Sequence, residues 1–177
     1  MFNVANFLLF QTLWLSSVLG AAHGYTWAGP VCLGVFMVCH VSWLKHGAYA
    51  DMLLMAICLF LGLLFDTASA YLGFVDFSLY DFKPITPLWL LCLWGGFSLT
   101  INHSISWVKK RLLLASCAGA IFGPLSYYAG WQAGAMLWLQ PIAAAVFISV
   151  SWALLMPSLC ILAKHFEKTD WILKHNV

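Results

Sequence analysis

Asp66 is the first residue whose type and setting could do chemistry. It lies deep in an apolar run, between Phe65 and Thr67. A charge at the centre of a bilayer costs from about 2.5 to well over 10 kcal/mol, so such a group persists only when paired, neutral or wet. It can then serve as a proton carrier, a general acid or base, or a cation ligand. It can equally serve as a hydrogen-bonded clamp between helices. At helical spacing its neighbours are Gly62, Ser69, Ala70 and Gly73, a small-residue face of the kind that packs against another helix. Asp66 is therefore expected to look into a bundle. The lack of another acidic or basic residue at its depth favours the clamp, with Tyr127 or the carbonyl of Ala120 as partner.

Asn102-His103-Ser104 is the second candidate. On a helical projection Gly95, Gly96, Ser98, Thr100, Asn102, His103 and Ser106 share a broad small and polar face, while Leu90, Trp94, Phe97, Ile101, Ile105 and Val108 form a lipid-type face. His103 could act there as acid, base or ligand, or be a core histidine satisfied by Asn102 and Ser106. Asp66, His103 and Asn102 are thus the catalytic candidates, and Ser106, Thr100, Gln11 and Tyr127 the binding candidates. Asn6 is a weaker member of the same polar interior. His40 falls at a depth similar to His103, but its neighbours Met37, Phe36 and Leu33 are apolar, so snorkelling to the interface is the favoured reading. No metal site and no cofactor are expected. The six Cys sit in apolar runs without C-x-x-C spacing and read as small hydrophobes. There is no phosphate-binding glycine loop, no H-E-x-x-H and no nucleophile elbow.

The elements that must position these residues are membrane helices. Hydrophobic residues make up 63% of the 177 and charged ones 8%, against about 25% charged in soluble domains. So few charges cannot cover a water-soluble surface, and the remaining apolar area calls for a bilayer. The net charge of +2 gives no argument for nucleic acid. Six runs are long enough to span, at about 4–22, 26–44, 50–74, 86–108, 112–130 and 140–163. They form one integral membrane domain over 1–177, with 164–177 as a tail. Thr86-Pro87 reads as N-cap and first helical position, and Pro141 as a first-turn proline. Ala115, Gly119 and Gly123 make a small stripe, and Pro124 frees the carbonyl of Ala120. The longest connection, from Val75 to Ile85, carries Asp76, Asp81, Lys83 and Pro84.

With six spans, Lys45, Lys109, Lys110, Arg111, Lys164, Lys168 and Lys174 share one side and Lys83 alone takes the other. The positive-inside bias then places both termini in the cytoplasm. Tyr25, Trp27, Tyr71, Trp89, Tyr127, Tyr128, Trp131 and Trp138 fall near the outer boundary, and Trp43, Tyr49, Trp107 and Trp171 near the inner one, as two aromatic belts would.

Three segments also carry a family likeness: Leu61 through Asp66, Pro87-Leu88-Trp89-Leu90 through Asn102-His103-Ser104, and Gly123 through Gly130. In that order and spacing, the chain resembles a family of small bacterial inner-membrane proteins of unknown function, from about Asn6 to Pro157. The resemblance implies a bacterial cytoplasmic membrane location. It also implies genes beside cyclopropane-fatty-acid-synthase-like and other lipid-modification genes, and it supplies no catalytic residue. Three functions stay open, of which the first is the favoured reading and the other two its alternatives. The first is an accessory component of membrane-lipid modification or envelope maintenance, partnered by lipid-modification enzymes. The second is a membrane-embedded lipid-modifying enzyme. The third is a small proton-coupled carrier for a lipid, metabolite or ion. A dry bundle would favour the first, and a polar, accessible centre the other two.

Overall fold

The apolar runs become helices because a bilayer interior leaves no water for backbone polar groups. The structure, a computed structural model, describes residues 2–44, 48–77 and 84–175, the side chains of 173–175 excepted. Lys45, Asp81 and Lys83 lie outside the described residues, as does the side chain of Lys174. The described helices are α1 (Phe2–Ala22), α2 (Ala28–Trp43), α3 (Ala48–Tyr71), α4 (Leu88–Ile101), α5 (Leu112–Gln132) and α6 (Pro141–His175). α1, α3, α5 and α6 are long and apolar enough to cross a membrane. α2 and α4, of 16 and 14 residues, rise only about 24 and 21 Å, short of a hydrocarbon core of roughly 30 Å.

α4 is the hub, packed against α1, α2, α3 and α6, while α5 packs mainly on α6 and α6 on α3. This overturns the expected lipid face of the fourth helix. Leu90, Trp94, Ile101 and Val108 are buried, and Phe97 and Ile105 are half-buried. A helix enclosed on every side buries its large apolar residues as well as its small ones. Close approach depends on the small ones: a methyl group at Gly96 would fall 2.1 Å from Leu13, and one at Gly62 2.3 Å from the Trp94 ring.

α4 also stops at Ile101, earlier than the expected 108, and gives way to a turn and a short 3-10 segment, Ser106–Lys110. The Thr100 carbonyl accepts from the N–H groups of both His103 and Ile105, at 3.0 and 3.1 Å. Thr86 does not cap α4. Its hydroxyl donates to the Leu63 carbonyl at 3.1 Å and meets the Thr67 hydroxyl at 3.0 Å, and Pro87 is the N-cap. α6 starts at Pro141 and runs on through Pro157 to His175, so residues 164–175 prolong the last helix.

A two-residue antiparallel ribbon pairs β1 (Val75–Asp76) with β2 (Leu137–Trp138), an element the sequence reading did not contain. Gly73 and Gly134, at φ 72° and 85°, turn the chain out of α3 and α5 just before each strand. In both, the following N–H reaches back five residues, Phe74 to Ser69 and Ala135 to Gly130, the left-handed helix stop that glycine allows. Of the expected outer belt, Tyr25, Trp27, Tyr71 and Tyr128 are exposed, but Trp89, Tyr127 and Trp138 are buried. Trp43, Tyr49, Trp107 and Trp171 at the other end are all exposed.

Candidate functional site

Two carboxylates on α3 organise the polar interior. Asp66 is fully buried. One oxygen accepts from the Trp94 indole at 2.8 Å and the other from the Tyr127 hydroxyl at 2.5 Å. Tyr127 is thus the helix α5 partner, and the carbonyl of Ala120 is not, because it accepts from Ser149 at 2.8 Å. The surroundings are aromatic. Phe65 stacks on Phe147 at 5.5 Å, and Trp94 on Trp152 at 4.9 Å. Trp94 reaches Asp66 only because Gly62 leaves room for its ring. A carboxylate with both oxygens engaged, walled by rings, holds α3, α4 and α5 together. A cavity of about 300 Å³, lined by Ala70, Val75, Asp76, Phe77, Pro84, Ile85 and Leu139, lies beside the ribbon and does not include Asp66.

The other carboxylate is Asp51, in the first turn of α3. Its Oδ2 lies 2.9 Å from His40 Nε2 and 2.8 Å from His103 Nε2, and its Oδ1 accepts from the Asn102 amide at 2.8 Å. The Asn102 oxygen in turn accepts from Lys109 at 2.8 Å, and Lys109 pairs with Glu167 of α6 at 2.7 Å. The His40 and Asp51 side chains are 0% and 2% exposed and His103 is 15% exposed, while Glu167 at the far end of the network is 44% exposed. The two imidazole rings are 4.9 Å apart, and Phe2 packs edge-on against His103 at 5.0 Å. Asn6 of α1 fixes the turn after α4: its amide donates to the Leu99 carbonyl at 3.0 Å and its oxygen accepts from Ser104 at 2.7 Å.

The structure therefore splits the sequence-predicted residues. His103 and Asn102 share one centre, and Asp66 and Tyr127 another. Thr100 donates to the Phe97 carbonyl of its own helix at 2.6 Å. Ser106 meets His103 through its backbone N–H, at 3.1 Å, not as a side-chain partner. Gln11 is half-buried on α1 and belongs to neither centre. His40 does not snorkel. Its apolar neighbour Phe36 is buried, so that side of α2 is the protein side, and His40 turns inward to Asp51.

Asp51, Lys109 and Glu167 were missed as site residues, and Trp94 was assigned to lipid. The depth match of His40 and His103 was the usable signal. A short connection between α2 and α3 puts Asp51, eleven positions after His40, at that same depth. A carboxylate bracketed by two imidazoles can exchange protons with them or, through the same atoms, hold a cation. No curated protein and no solved structure matches the chain. Residues 3–158, which contain both centres except Glu167, match the model of a family described as protein of unknown function, DUF2878, and the chain belongs to that family.

Proposed function

We propose that this protein is a multi-pass protein of the bacterial cytoplasmic membrane, with six membrane-inserted helices and both termini inside. We further propose that it is a membrane-embedded lipid-modifying enzyme with the Asp51 cluster as its working centre. The observation that carries this reading is the convergence of His40, His103 and Asn102 on one buried carboxylate. An accessory protein has no need of it. Buried charge and unsatisfied polar groups destabilise a bundle, and an interhelical clamp is already present at Asp66. The carrier reading needs a polar path along the bundle. Asp51 and Asp66 stand about 22 Å apart along α3 at 1.5 Å per residue, and its buried face between them is Leu54, Cys58, Gly62 and Phe65.

Placement supports a lipid substrate. The centre lies at the end of the bundle that holds Lys109, Lys110 and Arg111, and the segments that build it also carry the exposed Trp43, Tyr49 and Trp107. A boundary of that kind is where lipid head groups sit. The Lys109–Glu167 pair joins the α4–α5 connection to the late part of α6, which supports the same-side placement that the basic residues call for. The test is the membrane lipid profile of a deletion strain complemented with wild type, Asp51→Asn or His103→Ala at matched protein levels. Wild type should restore a profile that neither variant restores. An unchanged profile on deletion, or full restoration by Asp51→Asn, would overturn the enzyme reading.

A further inference from the structure

We infer that His40, Asp51 and His103 bind a divalent first-row transition-metal ion. The inference concerns the centre proposed above and rests on reading it as the working centre, but its test reads metal and not activity. The three residues come from three different segments: the end of α2, the first turn of α3 and the turn after α4. Each offers one donor atom, and the three atoms lie within 4.8 Å of one another. Both imidazole nitrogens already stand 2.9 and 2.8 Å from the same carboxylate oxygen. Donors about 2.1 Å from an ion are roughly 3.0–3.4 Å apart, so from a spread of up to 4.8 Å binding draws the two imidazoles towards each other by roughly 1 Å. Two imidazoles and one carboxylate, with the remaining positions open, are a donor set for Zn(II), Fe(II) or Co(II) and not for Mg(II) or Ca(II).

The surroundings point the same way. Asn102 takes the carboxylate oxygen that the imidazoles leave free, and Lys109, held by Glu167, fixes which end of the Asn102 amide faces Asp51. An outer layer that orients the ligands in this way is what a metal centre requires. His40 Nδ1 is buried with no hydrogen-bond partner among the described residues. Structural and metal-bound histidines alike normally have the second ring nitrogen satisfied, so this orphan distinguishes neither. The His40 ring is positioned through Nε2 alone, the atom aimed into the centre. His103, 15% exposed, is the least buried of the three.

The experiment uses the full chain, tag-free, in detergent micelles, stripped with a chelator and titrated with Co(II). The expected result is saturable, stoichiometric binding with visible d–d absorption that Zn(II) displaces. His40→Ala and His103→Ala should abolish it. Asn102→Ala should weaken it by about 10–100-fold, the usual effect of losing an outer partner. Since a variant can misfold, Cu(II)-loaded wild type is also examined by pulsed electron paramagnetic resonance, which counts coordinated imidazoles without any substitution. Coupling to both imidazoles supports the site. No saturable binding by a monodisperse wild type, binding unchanged in both histidine variants, or coupling to fewer imidazoles overturns it. Metal binding without a lipid phenotype would defeat the enzyme reading alone. A lipid phenotype without metal would defeat this inference alone.

Discussion

The two buried aspartates on α3 differ in what their partners are. Asp66 faces a phenol and an indole, neutral donors that fill both of its oxygens. Asp51 faces two imidazoles, whose ring nitrogens can donate, accept or ligate, with an amide on the remaining oxygen. That contrast separates holding from chemistry. Asp66→Asn should leave the protein folded, because the new amide can accept from Trp94 and donate to the Tyr127 oxygen. Asp66→Leu strands both donors in an apolar interior and should cost about 1–3 kcal/mol for each. Equilibrium unfolding in detergent measures both. Asp66→Asn as damaging as Asp66→Leu would mean that the charge matters and that Asp66 is more than a clamp.

Between elements, the closest fit is that of α5 on α6, and it is built on an exchange of prolines and serines. Pro124 has no N–H for the Ala120 carbonyl, and Ser149 of α6 donates there at 2.8 Å. Pro157 leaves the Ala153 carbonyl free in the same way, and Ser116 of α5 donates to it at 2.8 Å. Each helix supplies the hydroxyl that the other helix's proline makes necessary, as backbone groups in hydrocarbon demand. The Ala115, Gly119 and Gly123 stripe makes this possible: a methyl group on Gly119 would fall 2.2 Å from the Trp152 carbonyl oxygen. Ser149→Ala should cost about 0.6 kcal/mol, the average for a hydrogen bond between membrane helices. In a Pro124→Ala background residue 124 can donate to Ala120 itself, and the cost should shrink towards zero. A double-mutant cycle reads the coupling; strict additivity would show that Ser149 does not serve the freed carbonyl.

For the molecule as a whole, orientation and depth are the testable quantities. Reporter fusions after Lys110 and after Lys174 should report cytoplasm, and one at Gly134, beside the ribbon, should report the opposite side. A C-terminus found outside would put the basic end of the bundle, and with it the Asp51 centre, on the wrong face for the positive-inside bias. Composition and hydropathy are sums along the chain, and they suffice to dictate an all-helical protein with apolar helices. The starts of α5 and α6, the small stripe on α5 and the inward aim of Asp66 were legible for the same reason: each depends on residues within two helical turns. Tertiary structure alone decided the rest. Trp94 and Ile101 read as lipid-facing because apolar neighbours look alike against lipid and against protein, and only the central position of α4 buries them. His40 was misread on the same ground. Asp51 carried no local mark beyond being an acid at a helix start, where the helix dipole alone would favour it. Its role comes from side chains on two other segments, and no pattern along α3 encodes which segments those are.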